Sequence, residues 1–399
     1  MREGRRSVLT LCPSVVFVLS DGIRGHLSQS RGVAGWISRF TGADAVELDA
    51  PRLHGRQRFR LLKLKALFLP GADSEGAVRW LKQAGGEEIL NAARKKLSEK
   101  NASAGDALFL SAGSGAAPYT LALAKALGQK CCTIMTPSVP SPAHFDFAVI
   151  PAHDHPKEAS NTLVTLGAPN AIFPDELERR GWELAEKYPP GEKVAEKWAL
   201  LLGGDDENYQ ISREWILAAL PAILKAASVA GAELYITTSR RTSPDAEDEL
   251  ADLVKHSRAV RMLLLASRDS FNPVPGMLGL CSRVFVTEDS VSMVSEAVTA
   301  GRAVFLLRTG RKNMLKAGLQ RAIALLAAAR LLPKRLLWGI PRFNAVFAAM
   351  KRDGFLYEIG YDTAEDYVKR TQTPLCDGPR LNEAKRAAEW IVDRWGRSR

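Results

Sequence analysis

The sequence predicts an α/β protein of two doubly wound, Rossmann-like domains facing a cleft. Three observations predict it. The 399 residues exceed one ordinary domain and suit two. Short apolar, β-rich runs alternate with helix-like runs, which marks a parallel sheet covered by helices. The alternation lapses once, in the charged stretch 176–197 around Pro189-Pro190-Gly191, and then resumes. The expected division is 1–185, 186–375, and a C-terminal helix in 376–399 that could pack back on the N-terminal domain.

In chain order, residues 15–20 read as a strand and 25–40 as a helix with Leu27, Val33, Trp36 and Ile37 on one side. A short strand at 45–48, a basic and apolar stretch at 53–69 and a charged helix at 86–99 follow. Residues 107–111 are a strand that runs through Gly113 into a helix at 118–127. Two more strands are expected at 131–135 and 147–150. Past the boundary, strand 198–202 enters Gly203-Gly204, and helix 212–230 leads to strand 233–238. A helix at 246–256, a strand at 283–287, a helix at 293–300 stopped by Gly301 and a strand at 303–307 complete the second series. Residues 382–395 form an amphipathic helix with Ala387, Trp390, Ile391 and Trp395 as its apolar face.

The composition, 46% hydrophobic and 25% charged, is that of a soluble globular chain, with no apolar run long enough to span a bilayer. Arg2, Arg5 and Arg6 precede an apolar run that mimics a signal peptide. Pro13 breaks that run and no small-residue cleavage site follows, so a flexible start and a first strand are expected. Cys12, Cys131, Cys132, Cys281 and Cys376 are odd in number, two are adjacent, and no C-x-x-C occurs. This argues against disulfides and a cysteine zinc site and fits a reducing cytoplasm. His153-Asp154-His155 is bracketed by prolines and has no third ligand at a diagnostic spacing, so no metal is expected. The net charge of +11 calls for an anionic partner. Nucleic acid is disfavoured, because no nucleic-acid-binding motif accompanies the charge.

Ligands of doubly wound sheets bind beyond the strand ends, so the loops after strands carry the chemistry. The first holds Asp21, Gly22, Gly25 and His26, with Gln29 just beyond. Its glycines allow a tight turn, and His26 at a helix start suits general-base work near neutral pH. Asp21 could orient that histidine or be the base; a histidine that only lines the turn is the plain alternative. Ser111 and Gly113 could wrap an acceptor or an anion, or merely make a turn. Gly203 and Gly204 resemble a phosphate-binding nest, although Asp205, Asp206 and Glu207 argue against phosphate unless they point away or cap the next helix. Ser239, Arg240 and Arg241 suit a diphosphate by charge and forked hydrogen bonds, or form a solvated basic loop.

The most organising stretch is Asp289-Ser290-Val291-Ser292-Met293 with Glu296. Small hydroxylic residues cap the helix and leave amides and its positive end open to a nucleotide diphosphate. Glu296 could accept hydrogen bonds from ribose hydroxyls. An ordinary βαβ unit with a good N-cap is the plain alternative.

Two basic, apolar stretches could lie on an anionic membrane, or be core helices with charged outer faces. One carries Arg52, Arg56, Arg58, Arg60, Lys63 and Lys65 among Phe59, Leu61, Leu62, Leu64, Leu67 and Phe68. The other, 311–342, carries Lys316, Arg321, Arg330, Lys334 and Arg335 beside Leu331, Leu332, Leu336, Leu337 and Trp338.

The run from Asp21-Gly22 through Gly25-His26 to Gln29-Ser30, the loop Ser239-Arg240-Arg241-Thr242 and the block from Asp289 to Ala297 together resemble the mitochondrial fission factor (elongated-mitochondria) family. Pro151-Ala152-His153-Asp154 is similar to it as well. The resemblance spans roughly 15–370, and the serine-methionine-glutamate block is its most specific part. That family resembles GT-B glycosyltransferases, including the membrane-associated enzyme that glycosylates lipid-linked peptidoglycan precursors. The resemblance implies an N-terminal acceptor domain and a C-terminal nucleotide-sugar domain. His26 or Asp21 would be the base, and Gly22, Gly25, Gln29, Ser111 and Gly113 would meet the acceptor. Gly203, Gly204, Ser239, Arg240, Arg241, Asp289, Ser290, Ser292, Met293 and Glu296 would hold the donor. From its own mix of charge and apolar residues, the first basic stretch would set Arg56, Arg58, Arg60 and Lys63 against the membrane. Glu288 and Glu296 also share the spacing of paired glutamates in some retaining glycosyltransferases.

The expected function is transfer of a sugar from a nucleotide-sugar to a lipid-linked glycan or lipopolysaccharide core. The expected place is the inner face of the cytoplasmic membrane, with no cofactor or metal. A nucleotide-sugar epimerase and a non-catalytic membrane adaptor, the role understood for plant members, are the rivals.

Overall fold

The computed structural model describes residues 12–51, 55–192, 194, 196–333, 337, 340–359 and 381–396. Arg2, Arg5, Arg6, Arg52, Lys334, Arg335, Leu336, Trp338, Cys376 and the Arg56 side chain lie outside that description. The chain forms two compact units, residues 1–171 with 382–399, and residues 172–381.

The first unit is built on six strands: β1 (Val15–Ser20), β2 (Asp44–Asp49), β3 (Ala107–Ala112), β4 (Lys130–Ile134), β5 (Phe147–Pro151) and β6 (Thr162–Thr165). They form one sheet in the order β2-β1-β3-β4-β5-β6. Every pairing is parallel. Its helices are α1 (Arg24–Thr41), α2 (Arg56–Ala66), α3 (Ser74–Gln83), α4 (Glu87–Glu99) and α5 (Ala117–Leu127). Strands β1 and β3 are buried at every position, which is why they read as unbroken apolar runs rather than alternating ones. On one face Phe17 stacks on Phe109 at 4.7 Å, under Trp80 and Tyr119. The other face is covered by Val33 and Ile37 of α1 and by Ala387, Ile391 and Trp395 from the end of the chain.

The second unit has strands β7 (Glu196–Leu201), β8 (Tyr209–Gln210), β9 (Ala232–Thr237), β10 (Val260–Leu264), β11 (Arg283–Thr287), β12 (Ala303–Leu307), β13 (Gly310–Arg311) and β14 (Tyr357–Ile359). Its six-stranded sheet runs β10-β9-β7-β11-β12-β14, again all parallel. Strands β8 and β13 pair apart from it. Its helices are α6 (Leu177–Lys187), α7 (Arg213–Ala230), α8 (Pro244–Val254), α9 (Val274–Leu280), α10 (Val291–Thr299), α11 (Met314–Ala328) and α12 (Ile340–Arg352). Among the described residues no helix is long and apolar enough to cross a membrane.

The boundary falls after Ala171, ahead of the expected 185/186. The charged stretch expected as a linker contains α6, which lies directly on α9. A Cβ on Gly279 would meet the Leu177 carbonyl oxygen at 1.9 Å. Two glycines, Gly181 and Gly279, allow that approach, and it ties α6 to the second unit. The last helix, α13 (Glu383–Arg394), returns to the first unit and packs on α1. There Trp395 stacks on Phe147 at 6.0 Å, and Glu383 accepts the Leu166 amide at 2.6 Å.

Each sheet has one place where strand order reverses, between β1 and β3 and between β7 and β11. Ligands of doubly wound sheets bind outside the carboxyl ends of the strands at such a reversal. Residues 21–26 and 113–115 flank the first reversal, and residues 203–204 and 288–290 the second.

Candidate functional site

The first unit brings two loops together over one ionisable pair. Asp21 Oδ1 accepts the Ile23 amide at 3.1 Å, and Oδ2 meets His26 Nδ1 at 2.8 Å. Gly22, at φ +84°, makes the turn between them. The loop after β3 then packs against the pair from below. A Cβ on Gly113 would lie 2.4 Å from the His26 ring, and one on Gly115 would lie 3.1 Å from Asp21 Cβ. Glycine at both places lets backbone rather than side chain form the floor. Asp21 is nearly covered and His26 about one-fifth exposed. A carboxylate held on Nδ1 places the imidazole proton there and leaves Nε2 as the acceptor.

Two expected acceptor contacts are overturned. Ser111 is fully buried and bonds to the Thr120 hydroxyl at 2.6 Å, because every position of β3 faces protein. Gln29 points inward from α1, with its Nε2 on the Met135 sulfur at 3.6 Å. Gly22 is exposed and Gly25 half-buried, while Gly113 lies beneath His26.

The second unit gathers three loops around Asp289. Its carboxylate is buried, accepts the Gly204 amide at 2.8 Å and pairs with Arg241 at 2.8 Å. Burial pushes this carboxyl above its ordinary range, against the pull of Thr287, Gly204 and Arg241. The Gly203 amide donates to Thr287 Oγ1 at 2.7 Å, and Thr242 Oγ1 donates to the Gly203 carbonyl at 2.5 Å. A Cβ on Gly203 would meet Asp289 Oδ2 at 2.0 Å, and one on Gly204 would meet the Arg241 backbone at 2.1 Å. The glycine pair therefore lets the loops after β9 and β11 press onto the end of β7. Its amides are consumed inside the protein, so the expected phosphate nest is not formed by Gly203 and Gly204. Thr242, at the end of the basic loop, and Thr287, the last residue of β11, complete this knot, and neither was assigned a role from the sequence.

The neighbouring acids are also accounted for. Asp205 accepts the Ile211 amide, and Asp206 accepts those of Asn208 and Tyr209, so they shape the β7–β8 turn. Helix α7 is capped instead by Ser212, whose hydroxyl accepts the Trp215 amide. Lys312 sits 3.7 Å from Asp205, and Lys316 3.7 Å from Glu207. Beside them opens a cavity of about 740 Å³ that Arg241 also lines.

Helix α10 begins at this knot. Ser290 is its N-cap and accepts the Met293 amide at 3.4 Å. Ser292 and Met293 are half-buried in the first turn. Ser292 Oγ lies 3.5 Å from Glu296 Oε1, which keeps that half-buried carboxylate beside the helix start. Ser239 accepts the Arg241 amide at 3.1 Å, which holds the basic loop in a turn with Arg240 exposed. Glu288 is no partner to Glu296. It is fully buried, pairs with Arg308 at 2.6 Å and Arg311 at 3.1 Å, and accepts the Thr309 amide at 2.8 Å. No cluster of three or more His, Cys, Asp or Glu side chains that could hold a metal occurs among the described residues.

Two six-stranded parallel sheets, each with one strand-order reversal, make the GT-B fold, which UDP-N-acetylglucosamine 2-epimerases share. The chain belongs to the mitochondrial fission ELM1 family, whose pattern matches residues 24–395. The UDP-GlcNAc 2-epimerase of Methanocaldococcus jannaschii is similar in structure, with a TM-score of 0.54, 11% identity, and 96% and 99% of the two chains covered. The UDP-GlcNAc 2-epimerase of Neisseria meningitidis bound to UDP-GlcNAc gives 0.53, 13%, and 96% and 99%. The glycosyltransferase VinC in complex with dTDP gives 0.43, 12%, and 96% of each chain. No curated protein matches the sequence.

Proposed function

We propose that the protein is a glycosyltransferase that moves a sugar from a nucleotide-sugar to a hydroxyl of a lipid-linked glycan or lipopolysaccharide core. The observation that carries this reading is the Asp21–His26 pair, 2.8 Å apart at the strand-order reversal of the first sheet. His26 Nε2 takes the proton of the acceptor hydroxyl as its oxygen bonds to the anomeric carbon. Asp21, with both oxygens engaged, positions the ring rather than acting as the base. The second unit holds the donor. Arg240, the exposed edge of Arg241 and the N-terminal amides of α10 offer positive charge to the departing diphosphate. Glu296 accepts from the ribose. Such chemistry needs no resident cofactor, since the nucleotide-sugar is a co-substrate.

A lipid acceptor implies a membrane face in the cytoplasm. Helix α2 is proposed to supply one, because it buries Leu62 and Ala66 while leaving Leu61 and Leu64 exposed, with Leu67 and Phe68 beyond its end. Arg58 and Arg60 are exposed on the same helix, and Lys63 lies 4.6 Å from the Phe59 ring.

The test is melting with nucleoside diphosphates and their sugars, followed by turnover. A true donor at 100 times its Kd stabilises by about 2.7 kcal/mol. His26→Ala is expected to keep that shift and to slow transfer by ~10²–10⁴-fold, with Asp21→Asn also slowed. A His26→Ala protein with full turnover would remove His26 from the mechanism. Interconversion of two nucleotide-sugars without an acceptor would replace transfer by epimerisation. No response to any nucleotide would leave the adaptor reading.

A further inference from the structure

Residues 297–352 contain twelve lysines and arginines and no aspartate or glutamate. Helix α11 lies within this stretch, and it is apolar outward as well as inward, where half-buried Ile323 and Ala324 and buried Ala327 share the inner side with two polar residues. Its inward side carries Gln320, 2% exposed, whose amide donates to Asn208 Oδ1 at 3.0 Å. Lys316, on the same side, donates to the Glu207 carbonyl at 3.1 Å. The outward side is apolar. Leu315 is 89% exposed and Met314 74%, and Leu319, Leu325 and Leu326 continue the row to Leu331 just past the helix. Positions 315, 319, 322 and 326 follow helical spacing, so they form one stripe along the 15-residue helix. An ordinary surface helix turns such a stripe to the core.

We propose that α11 is an interfacial helix that lays this leucine stripe into the headgroup layer of an anionic bilayer. Arg321 and Arg330 stand exposed beside the stripe, where they would meet lipid phosphates while the leucines enter the acyl boundary. Charge decides between occupants. A second copy of the chain would bring the same acid-free stretch against itself, and like charges across a symmetric contact repel. Lys312 and Lys316 meet Asp205 and Glu207 within the protein, and a bilayer rich in phosphatidylglycerol supplies the negative charge for the exposed Arg321 and Arg330. The inference goes beyond sugar transfer and does not depend on it, since a non-catalytic adaptor would use the same helix.

The experiment is flotation with phosphatidylcholine vesicles, with and without phosphatidylglycerol. The wild-type protein is expected to float at low salt only when phosphatidylglycerol is present. The Leu315→Ser, Leu319→Ser, Leu325→Ser variant alters only exposed side chains, so its melting temperature should match the wild type. Its vesicle affinity is expected to fall at least about tenfold. The Arg321→Gln, Arg330→Gln variant is expected to bind more weakly and with a smaller salt dependence. A leucine variant that floats like the wild type would overturn the proposal and leave α2 as the docking surface. So would a wild-type protein that ignores anionic vesicles. Self-association that the leucine variant abolishes, without flotation of either protein, would make a second copy the occupant and overturn it too.

Discussion

Gly113 adopts φ +83° directly beneath the His26 ring, where a Cβ would come within 2.4 Å of the imidazole. Both facts require glycine. Gly113→Ala is expected to push His26 off Asp21 and to strain the backbone, costing about 1–3 kcal/mol of stability. Urea melts measure the second effect and transfer rates the first. Wild-type values in both would show that the loop tolerates a side chain and does not seat the pair. Asp21, Gly22, His26 and Gly113 were legible in the sequence as residues of strand-end loops. Their mutual contact was not, because it depends on β1 and β3 being neighbours in the sheet. Gln29 and Ser111 were misplaced for a related reason: a polar residue near a loop reads as available, although helix phase or a two-sided sheet can turn it inward. Gly203 and Gly204 show the same ambiguity. Glycine permits either an approaching ligand or an approaching protein segment, and here Asp289 and Arg241 occupy the space.

Helix α10 was the element most legible in the sequence, since its cap residue, apolar face and terminal glycine all agree. The two glutamates near it part company for electrostatic reasons. Burial works to lower the Arg308 pKa, but Glu288 and Glu358 outweigh it and hold the guanidinium above its ordinary value. Glu288 thus belongs to a buried network with Arg308 and Arg311, at 2.6 and 3.1 Å. Glu296, half-buried with Ser292 at 3.5 Å, is the one left near the crevice. Glu296→Ala is expected to leave the fold intact and weaken nucleotide binding by about 1.5–3 kcal/mol, the range for a hydrogen bond to a charged group. Titration calorimetry on the folded variant decides it, and unchanged affinity would remove Glu296 from the donor site. Other elements were not legible. Strand β6 has four residues at the sheet edge, most of them partly exposed, so it shows no apolar run. Helix α3 follows an Asp73 cap that accepts the Gly76 amide at 2.7 Å, inside a stretch whose small and charged residues mask the helix start. Helix α11 hides its outward leucines because it carries apolar residues on both sides, so its sequence does not say which side faces the core.

At the scale of the molecule, the two doubly wound sheets were legible from βα alternation, whereas the chain's division was not. Proline, glycine and charge marked a boundary near residues 189–191, but close packing of glycines against helix backbone decides which unit a helix joins. The C-terminal helix poses the sharper physical question. Helix α13 covers one face of the first sheet with Ala384, Ala387, Ala388, Ile391 and Trp395, all 3% exposed or less. Lys130 donates to the Trp395 carbonyl, and Arg386 donates to the Val164 carbonyl. A large apolar side chain contributes about 1.5–3 kcal/mol on burial, so Ile391 and Trp395 alone supply ~3–6 kcal/mol. That is a large share of the margin of an ordinary domain, about 5–15 kcal/mol. Removing residues 382–399 is therefore expected to expose Ile37 and Phe147 and to loosen the first unit selectively. Amide exchange is the suitable probe, because it reports each strand separately. Protection should collapse in β1, β3, β4 and β5 and persist in β7, β9 and β11. Equal loss in both sheets would mean that α13 stabilises the chain as a whole. Full protection everywhere would mean that the face beneath it is stable without cover.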